Sequence, residues 1–289
     1  MTLTGTYTAI ITPFNDDQSV DYGALKQLVA WQVENGVEGV VPVGTTGESP
    51  TLETSEHLKV ITTTVEAADG KAQVIAGTGA NSTSEALELT KAVLDMGIDA
   101  TLQVTPYYNK PSAEGLFQHF SAVADLGIPV VLYNVPGRSA KEIPISVIKR
   151  LASHPNMIAV KEAGGSVDRV SAIRDVCDLT VLSGDDSLAL PMISVGASGV
   201  ISVAANIIPK EMSTLVRLAL AGNFTKALEM HRTYYRLFND MFVETNPIPV
   251  KAAMAMMGLI NEVYRLPLCR LAPESRQILS KTLQSAGIL

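Results

Sequence analysis

A chain of 289 residues, 47% hydrophobic but only 5% aromatic, is long enough for one large domain or two ordinary ones, and its small aliphatics suit strands covered on both faces by helices. A net charge of −7 without any lysine/arginine cluster excludes nucleic acid and anionic membranes as partners. Two cysteines, Cys177 and Cys269, lack the spacing of a disulfide framework or zinc motif. With no basic leader and no span-length apolar run, they predict a cytoplasmic protein without a membrane segment.

Short apolar runs alternate with longer amphipathic stretches. The runs at 8–11, 39–43, 74–77, 100–104, 130–133, 158–161, 180–183 and 199–202 read as eight strands. Helical periodicity fills the intervals at 22–34, 56–68, 84–96, 113–126, 145–153, 167–176, 188–195 and 210–221. Ser82-Thr83-Ser84-Glu85 has the pattern of a capping box, and Asn35-Gly36 and Met96-Gly97 read as left-handed helix stops. Eight strand–helix units in series predict an α/β protein of the (β/α)8, or TIM-barrel, class. Residues 1–222 would form the barrel. Residues 223–289 read as helical throughout, broken at Pro247, Pro249, Pro267 and Pro273, and would pack on the barrel as an appendix.

In such a barrel the chemistry sits at the C-terminal ends of the strands. Polar residues collect at those ends: Gly44-Thr45-Thr46-Gly47-Glu48 after the second strand, Tyr107-Tyr108-Asn109 after the fourth, and Tyr133-Asn134 with Val135-Pro136-Gly137-Arg138 at the fifth. Lys161-Glu162 closes the sixth strand and Gly184-Asp185-Asp186 follows the seventh. Lys161 ends the buried-type run Met157-Ile158-Ala159-Val160. An amine shielded from water loses its proton more readily, and a neutral amine attacks ketones. Arginine suits a carboxylate, because its planar fork pairs at two points. Asp185 and Asp186 stand where a phosphate-binding barrel would carry a glycine-rich anion loop.

Two other patterns carry less. Gly77-Thr78-Gly79 lacks the third small residue of a dinucleotide fingerprint and reads as a loop turning closely over the barrel mouth. The histidines His57, His119, His154 and His231 show no metal-ligand spacing and read as helix-surface residues, so no metal is expected.

Gly44-Thr45-Thr46-Gly47-Glu48, Tyr133-Asn134-Val135-Pro136-Gly137-Arg138 and Val160-Lys161-Glu162-Ala163, in this order, resemble the dihydrodipicolinate synthase/N-acetylneuraminate lyase family over the whole chain. The resemblance implies a class I aldolase-type lyase on a (β/α)8 barrel with a three-helix C-terminal appendix. No cofactor is needed, because Lys161 forms an imine with pyruvate. The enamine would add to L-aspartate semialdehyde and give 4-hydroxy-tetrahydrodipicolinate, on the route to diaminopimelate and lysine. Thr45, Tyr133 and Tyr108 would form a proton relay, the residue matching Tyr108 coming from a neighbouring subunit. Thr45 and Thr46 would hold the pyruvate carboxylate, Arg138 the carboxylate of the aldehyde, and backbone groups at Gly184 and Ile201 would line the pocket.

The same resemblance implies a homo-oligomer, either a tight dimer or a dimer of dimers. It also implies a second site for L-lysine as inhibitor at Ser49, His57, Asn81, Glu85 and Tyr107, although Thr54 stands where inhibited members often carry histidine. Within the family, Arg138 and Pro106-Tyr107-Tyr108-Asn109-Lys110-Pro111 resemble the synthase branch. The alternative is a pyruvate-dependent lyase for a sugar acid such as N-acetylneuraminate or 2-keto-3-deoxygluconate, which would keep Lys161 and Tyr133 without needing Arg138.

Overall fold

The computed structural model describes residues 2–289. Eight parallel strands close into a barrel: β1 (Gly5–Ala9), β2 (Gly39–Val41), β3 (Gln73–Gly77), β4 (Ala100–Val104), β5 (Val130–Asn134), β6 (Met157–Glu162), β7 (Thr180–Ser183) and β8 (Gly199–Ser202). The ring closes where β1 pairs with β8, Gly5 opposite Gly199. Around it run α1 (Tyr22–Glu34), α2 (Thr54–Ala68), α3 (Thr83–Val93), α4 (Ala113–Ala124), the single turn α5 (Pro136–Ser139), α6 (Ile145–Leu151), α7 (Asp168–Val176), α8 (Ala189–Ser194) and α9 (Pro209–Leu220). Three helices follow: α10 (Phe224–Asp240), α11 (Ile248–Met256) and α12 (Pro273–Ser285). The chain is thus an α/β (β/α)8 barrel with C-terminal helices.

The two-residue period of a strand divides its side chains between two cores. Tyr7, Ile75, Leu102, Val131, Ala159 and Leu182 point into the barrel and fill it. Their neighbours Val40, Val74, Leu132, Val160 and Val181 point outward under the helices. The same alternation decides the chemistry at the strand tips. On β5 and β6, Tyr133 and Lys161 share the parity of Val131 and Ala159, whereas Asn134 and Glu162 face the helical shell.

Most helices begin and end within two or three residues of the sequence reading. Asp21 caps α1 by accepting from the Ala24 amide at 2.9 Å, and Gly36 and Gly97 take φ of +81° and +80° where the sequence places helix stops. Four expectations need correction. The first strand spans Gly5–Ala9, not 8–11. Its Thr6 and Thr8 are buried polar residues, and Thr8 Oγ1 donates to Gln32 Oε1 at 2.6 Å, so a threonine-rich run concealed a strand.

The capping box at Ser82 does not form. The Ser82 hydroxyl pairs with Ser84 Oγ at 2.8 Å, which leaves Glu85 free of the helix start. The C-terminal segment is not helical throughout, since residues 257–272 run as turns and loop. There Arg265 donates to Gln18 O (3.0 Å), Thr51 O (2.7 Å) and Glu56 Oε1 (2.7 Å), bonds that an extended connection reaches and a helix would not. Pro249 and Pro273 are not breaks but first-turn residues of α11 and α12, where the missing N–H costs nothing.

The fourth correction concerns the histidines. His57 and His119 are each only 5% exposed. His57 Nε2 meets Gly77 O at 2.8 Å and His119 Nδ1 meets Thr83 Oγ1 at 2.9 Å. Burial pushes both imidazoles toward the neutral form, His119 down to about 4. The Gly77-Thr78-Gly79 loop behaves as read. A Cβ at Gly79 would strike the Val104 amide, and one at Gly77 would stand 2.5 Å from Val43 O.

Candidate active site

Lys161 and Tyr133 are paired residues of adjacent strands, both turned inward near the barrel's C-terminal mouth. Lys161 is 6% exposed, and its Nζ sits 4.1 Å from the centroid of the Tyr133 ring. Outside the barrel the next pair locks this register. Asn134 Nδ2 donates to Glu162 Oε1 at 2.8 Å, the Gly164 amide donates to the same oxygen at 2.7 Å, and Arg169 Nε reaches Oε2 at 3.1 Å. Burial pushes the Glu162 carboxyl up while Arg169 opposes that shift.

The β2 turn faces Tyr133 across the mouth. Gly47 N→Gly44 O (3.1 Å) and Glu48 N→Thr45 O (3.2 Å) fold it tightly, and Thr12 Oγ1 donates to Gly47 O at 2.6 Å. Glu48 takes φ of +54° and buries its carboxylate against Lys251 Nζ of α11 at 2.5 Å, both side chains fully out of solvent. Phe14 packs its ring 4.2 Å from the same ammonium. Asn246, just before α11, donates from Nδ2 to Thr46 Oγ1 at 3.0 Å, and its backbone carbonyl accepts from Arg138 Nη2 at 3.0 Å. The C-terminal segment therefore shapes the mouth of the barrel.

A cavity of about 230 Å³ opens there, lined among others by Gly44, Thr45, Tyr107, Tyr133, Arg138 and Ser139. Thr45 and Tyr133 share it without a direct hydrogen bond between their hydroxyls. Lys161 lies behind the Tyr133 ring rather than on the cavity wall. Gly184 and Ile201 are also outside the lining. Gly184 backs onto the lysine, since a Cβ there would meet Lys161 Cε at 3.2 Å and Ala163 Cβ at 2.6 Å, and Ile201 is fully buried inside the barrel.

Two acids stand beside this wall. Burial raises Asp185 while the Lys161 charge pulls it back, and burial pushes Asp186 up to about 6 although the Val203 and Ala204 amides donate to it at 3.1 and 2.9 Å. Among the described residues no three His, Cys, Asp or Glu side chains come together to hold a metal ion. Tyr108 stands apart from the rest, 91% exposed at φ +72°.

Behind the first cavity lies a second, of about 310 Å³, lined by Ser49, Thr54, His57, Glu85, Glu88 and Tyr107 among others. Asn81 joins it through Nδ2, which donates to Tyr107 O at 3.3 Å. Burial raises the Tyr107 phenol and the neighbouring Glu85 charge adds to that. The sequence reading did not single out Asn246, Arg169 or Lys251. Asparagine before proline looks like a turn, and only the fold brings the end of the chain to its beginning.

The model of the dihydrodipicolinate synthetase family matches residues 2–286. The chain belongs to that family. It is 51% identical over 287 residues to the 4-hydroxy-tetrahydrodipicolinate synthase of Methanococcus maripaludis strain C6, covering 99% of each chain. It superposes with TM-score 0.98 on the chloride-inhibited dihydrodipicolinate synthase of Acinetobacter baumannii complexed with pyruvate, at 46% identity and covering all of both chains. The Cyanidioschyzon merolae dihydrodipicolinate synthase with lysine bound matches with TM-score 0.96 at 40% identity, over 99% of each chain. Within the family, relatives at about half identity over the full length carry the synthase name, which favours the synthase branch over the sugar-acid lyases.

Proposed function

We infer that the chain is a lyase that condenses pyruvate with L-aspartate semialdehyde to 4-hydroxy-tetrahydrodipicolinate, in lysine and diaminopimelate biosynthesis. Full-length synthase relatives at about 50% identity support this reaction. The observation that carries the mechanism is the placement of Lys161: a buried amine on an inward-facing strand end, against a tyrosine that lines the mouth cavity.

The Lys161 amine adds to the keto carbon of pyruvate, the carbonyl oxygen leaves as water, and a C=N bond replaces C=O. The protonated imine withdraws electrons from the methyl group, which loses a proton and becomes an enamine. The enamine carbon attacks the aldehyde, whose oxygen gains a proton. The substrate's own amino group then displaces the Lys161 nitrogen, closing the ring and freeing the enzyme. The Tyr133 ring lies against the reacting nitrogen, and its hydroxyl carries protons between these steps, with Thr45 across the cavity as its next link. Thr45 and Thr46 offer hydroxyls to the pyruvate carboxylate. Arg138, held by the Asn246 carbonyl at the exposed edge, offers its fork to the aldehyde's carboxylate. The Gly184 amide is engaged by Glu162 O at 2.8 Å, so its contribution is room beside Lys161 rather than a free donor.

Reduction with borohydride in the presence of pyruvate, followed by mass analysis of the modified peptide, tests the mechanism directly. The adduct is expected on Lys161 and nowhere else. Arg138→Lys is expected to leave this trapping intact while raising the KM for the aldehyde by about 10- to 100-fold, the cost of losing charge-assisted hydrogen bonds. Equal KM values for the two enzymes would remove Arg138 from the aldehyde site.

The second cavity would take L-lysine as inhibitor. Glu85 is free of its helix cap and, with Glu88, offers carboxylates to an ammonium, while neutral His57 adds no competing charge. Turnover is expected to fall to a plateau as L-lysine is added, and a flat titration would exclude the site. Tyr108 would serve a neighbouring copy, and its 91% exposure leaves the side chain available to one. A homo-oligomer, a tight dimer or a dimer of dimers, would supply that neighbour.

A further inference from the structure

We propose that Asn246 is a positioning residue of this reaction: its side-chain amide sets the direction of the Thr46 hydroxyl proton toward the pyruvate carboxylate. The proposal rests on the reading of Thr46 as a carboxylate ligand. A hydroxyl has one proton to give and lone pairs to receive. Asn246 Nδ2 donates to Thr46 Oγ1 at 3.0 Å, so a lone pair is occupied and the proton remains free for a ligand. Both residues are 4% exposed, and no other side-chain hydrogen bond engages Thr46 among the described residues.

The amide turns Nδ2 toward the Thr46 hydroxyl and Oδ1 away from it. Asn246 Oδ1 is buried without a hydrogen-bond partner. Reversing the amide would draw the Thr46 proton onto Asn246 and away from the site, so the role depends on Nδ2 facing the hydroxyl. The same residue seats Arg138 through its backbone carbonyl at 3.0 Å. One residue from the end of the chain thus touches a group of each half-site, and only the pyruvate half depends on its side chain.

This division gives the test. Asn246→Ala removes the donor, and the Thr46 hydroxyl becomes free to rotate; the KM for pyruvate is expected to rise about fivefold with kcat and the aldehyde KM changed less than about twofold. Asn246→Asp keeps the shape but reverses the hydrogen bond, because an ionised carboxylate accepts the Thr46 proton and adds a negative charge beside the ligand's own. Its KM for pyruvate is expected to exceed that of the alanine variant, by about tenfold over wild type or more.

A packing role alone predicts the opposite order, with the isosteric aspartate milder than alanine, and that order would overturn the proposal. Thermal unfolding of both variants separates folding defects from the KM effect, and pyruvate binding by the folded fraction is read from saturation of borohydride trapping. Thr46→Val serves as the control. If it leaves the pyruvate KM unchanged, the carboxylate reading of Thr46 fails; if it raises the KM while neither Asn246 variant does, the positioning role of Asn246 fails.

Discussion

Lys161→Ala is expected to reduce turnover on the order of 10³-fold or more and to abolish borohydride trapping with pyruvate, because no other group can form the imine. The barrel should survive the change. The lysine amine rests on the Tyr133 ring and makes no side-chain hydrogen bond, so its loss orphans no partner. Circular dichroism and thermal unfolding close to wild type, together with lost turnover, is the expected pair of results. An active Lys161→Ala enzyme would sink the mechanism.

The same variant tests the exposed tyrosine. Tyr108→Phe alone should be weak and Lys161→Ala alone inactive. Mixed and re-associated, the two should recover activity, because the intact lysine of one protomer then receives the intact tyrosine of the other. Mixtures no more active than Tyr108→Phe alone would confine Tyr108 to its own chain.

The largest effect on stability is expected from Lys251→Met. Glu48 and Lys251 form an ion pair with both side chains fully buried, and removing one partner leaves an uncompensated charge in the interior. Such a loss costs about 3–5 kcal/mol, which for a chain of this length lowers Tm by roughly 5–8 °C. Glu48→Gln combined with Lys251→Met should recover much of the difference, since buried pairs can be replaced by neutral groups at little cost. The single variant should also weaken pyruvate binding, because Glu48 closes the turn that carries Thr45 and Thr46. An unfolding curve identical to wild type would show that the pair adds nothing.

The barrel was legible in the sequence because its strands are short apolar runs and its helices keep a 3.6-residue period. β1 departs from the apolar run at 8–11 because Thr6 and Thr8 are buried but polar, and the Thr8 hydroxyl meets its partner, Gln32 Oε1, only in the folded chain. Ser82 and Glu85 had the spacing of a cap, but Ser84 offered Ser82 a nearer partner. His57 and His119 looked like surface residues because helical spacing cannot show that a carbonyl or a hydroxyl waits at 2.8 or 2.9 Å. Lys161, Tyr133, Thr45 and Arg138 could be nominated because strand ends predict the mouth of a barrel. Asn246 and Lys251 could not, because their partners lie 200 and 203 positions away.

Those two separations bear on how the protein is made. A ribosome delivers Thr46, Glu48, Tyr133 and Lys161 long before it reaches Asn246 and Lys251. Until residues 246 and 251 have emerged, the turn of Thr46 and Glu48 stands without the two side chains that brace it. On the proposed mechanism, a product terminated before residue 246 would carry Lys161 but not the braced turn that offers pyruvate its hydroxyls.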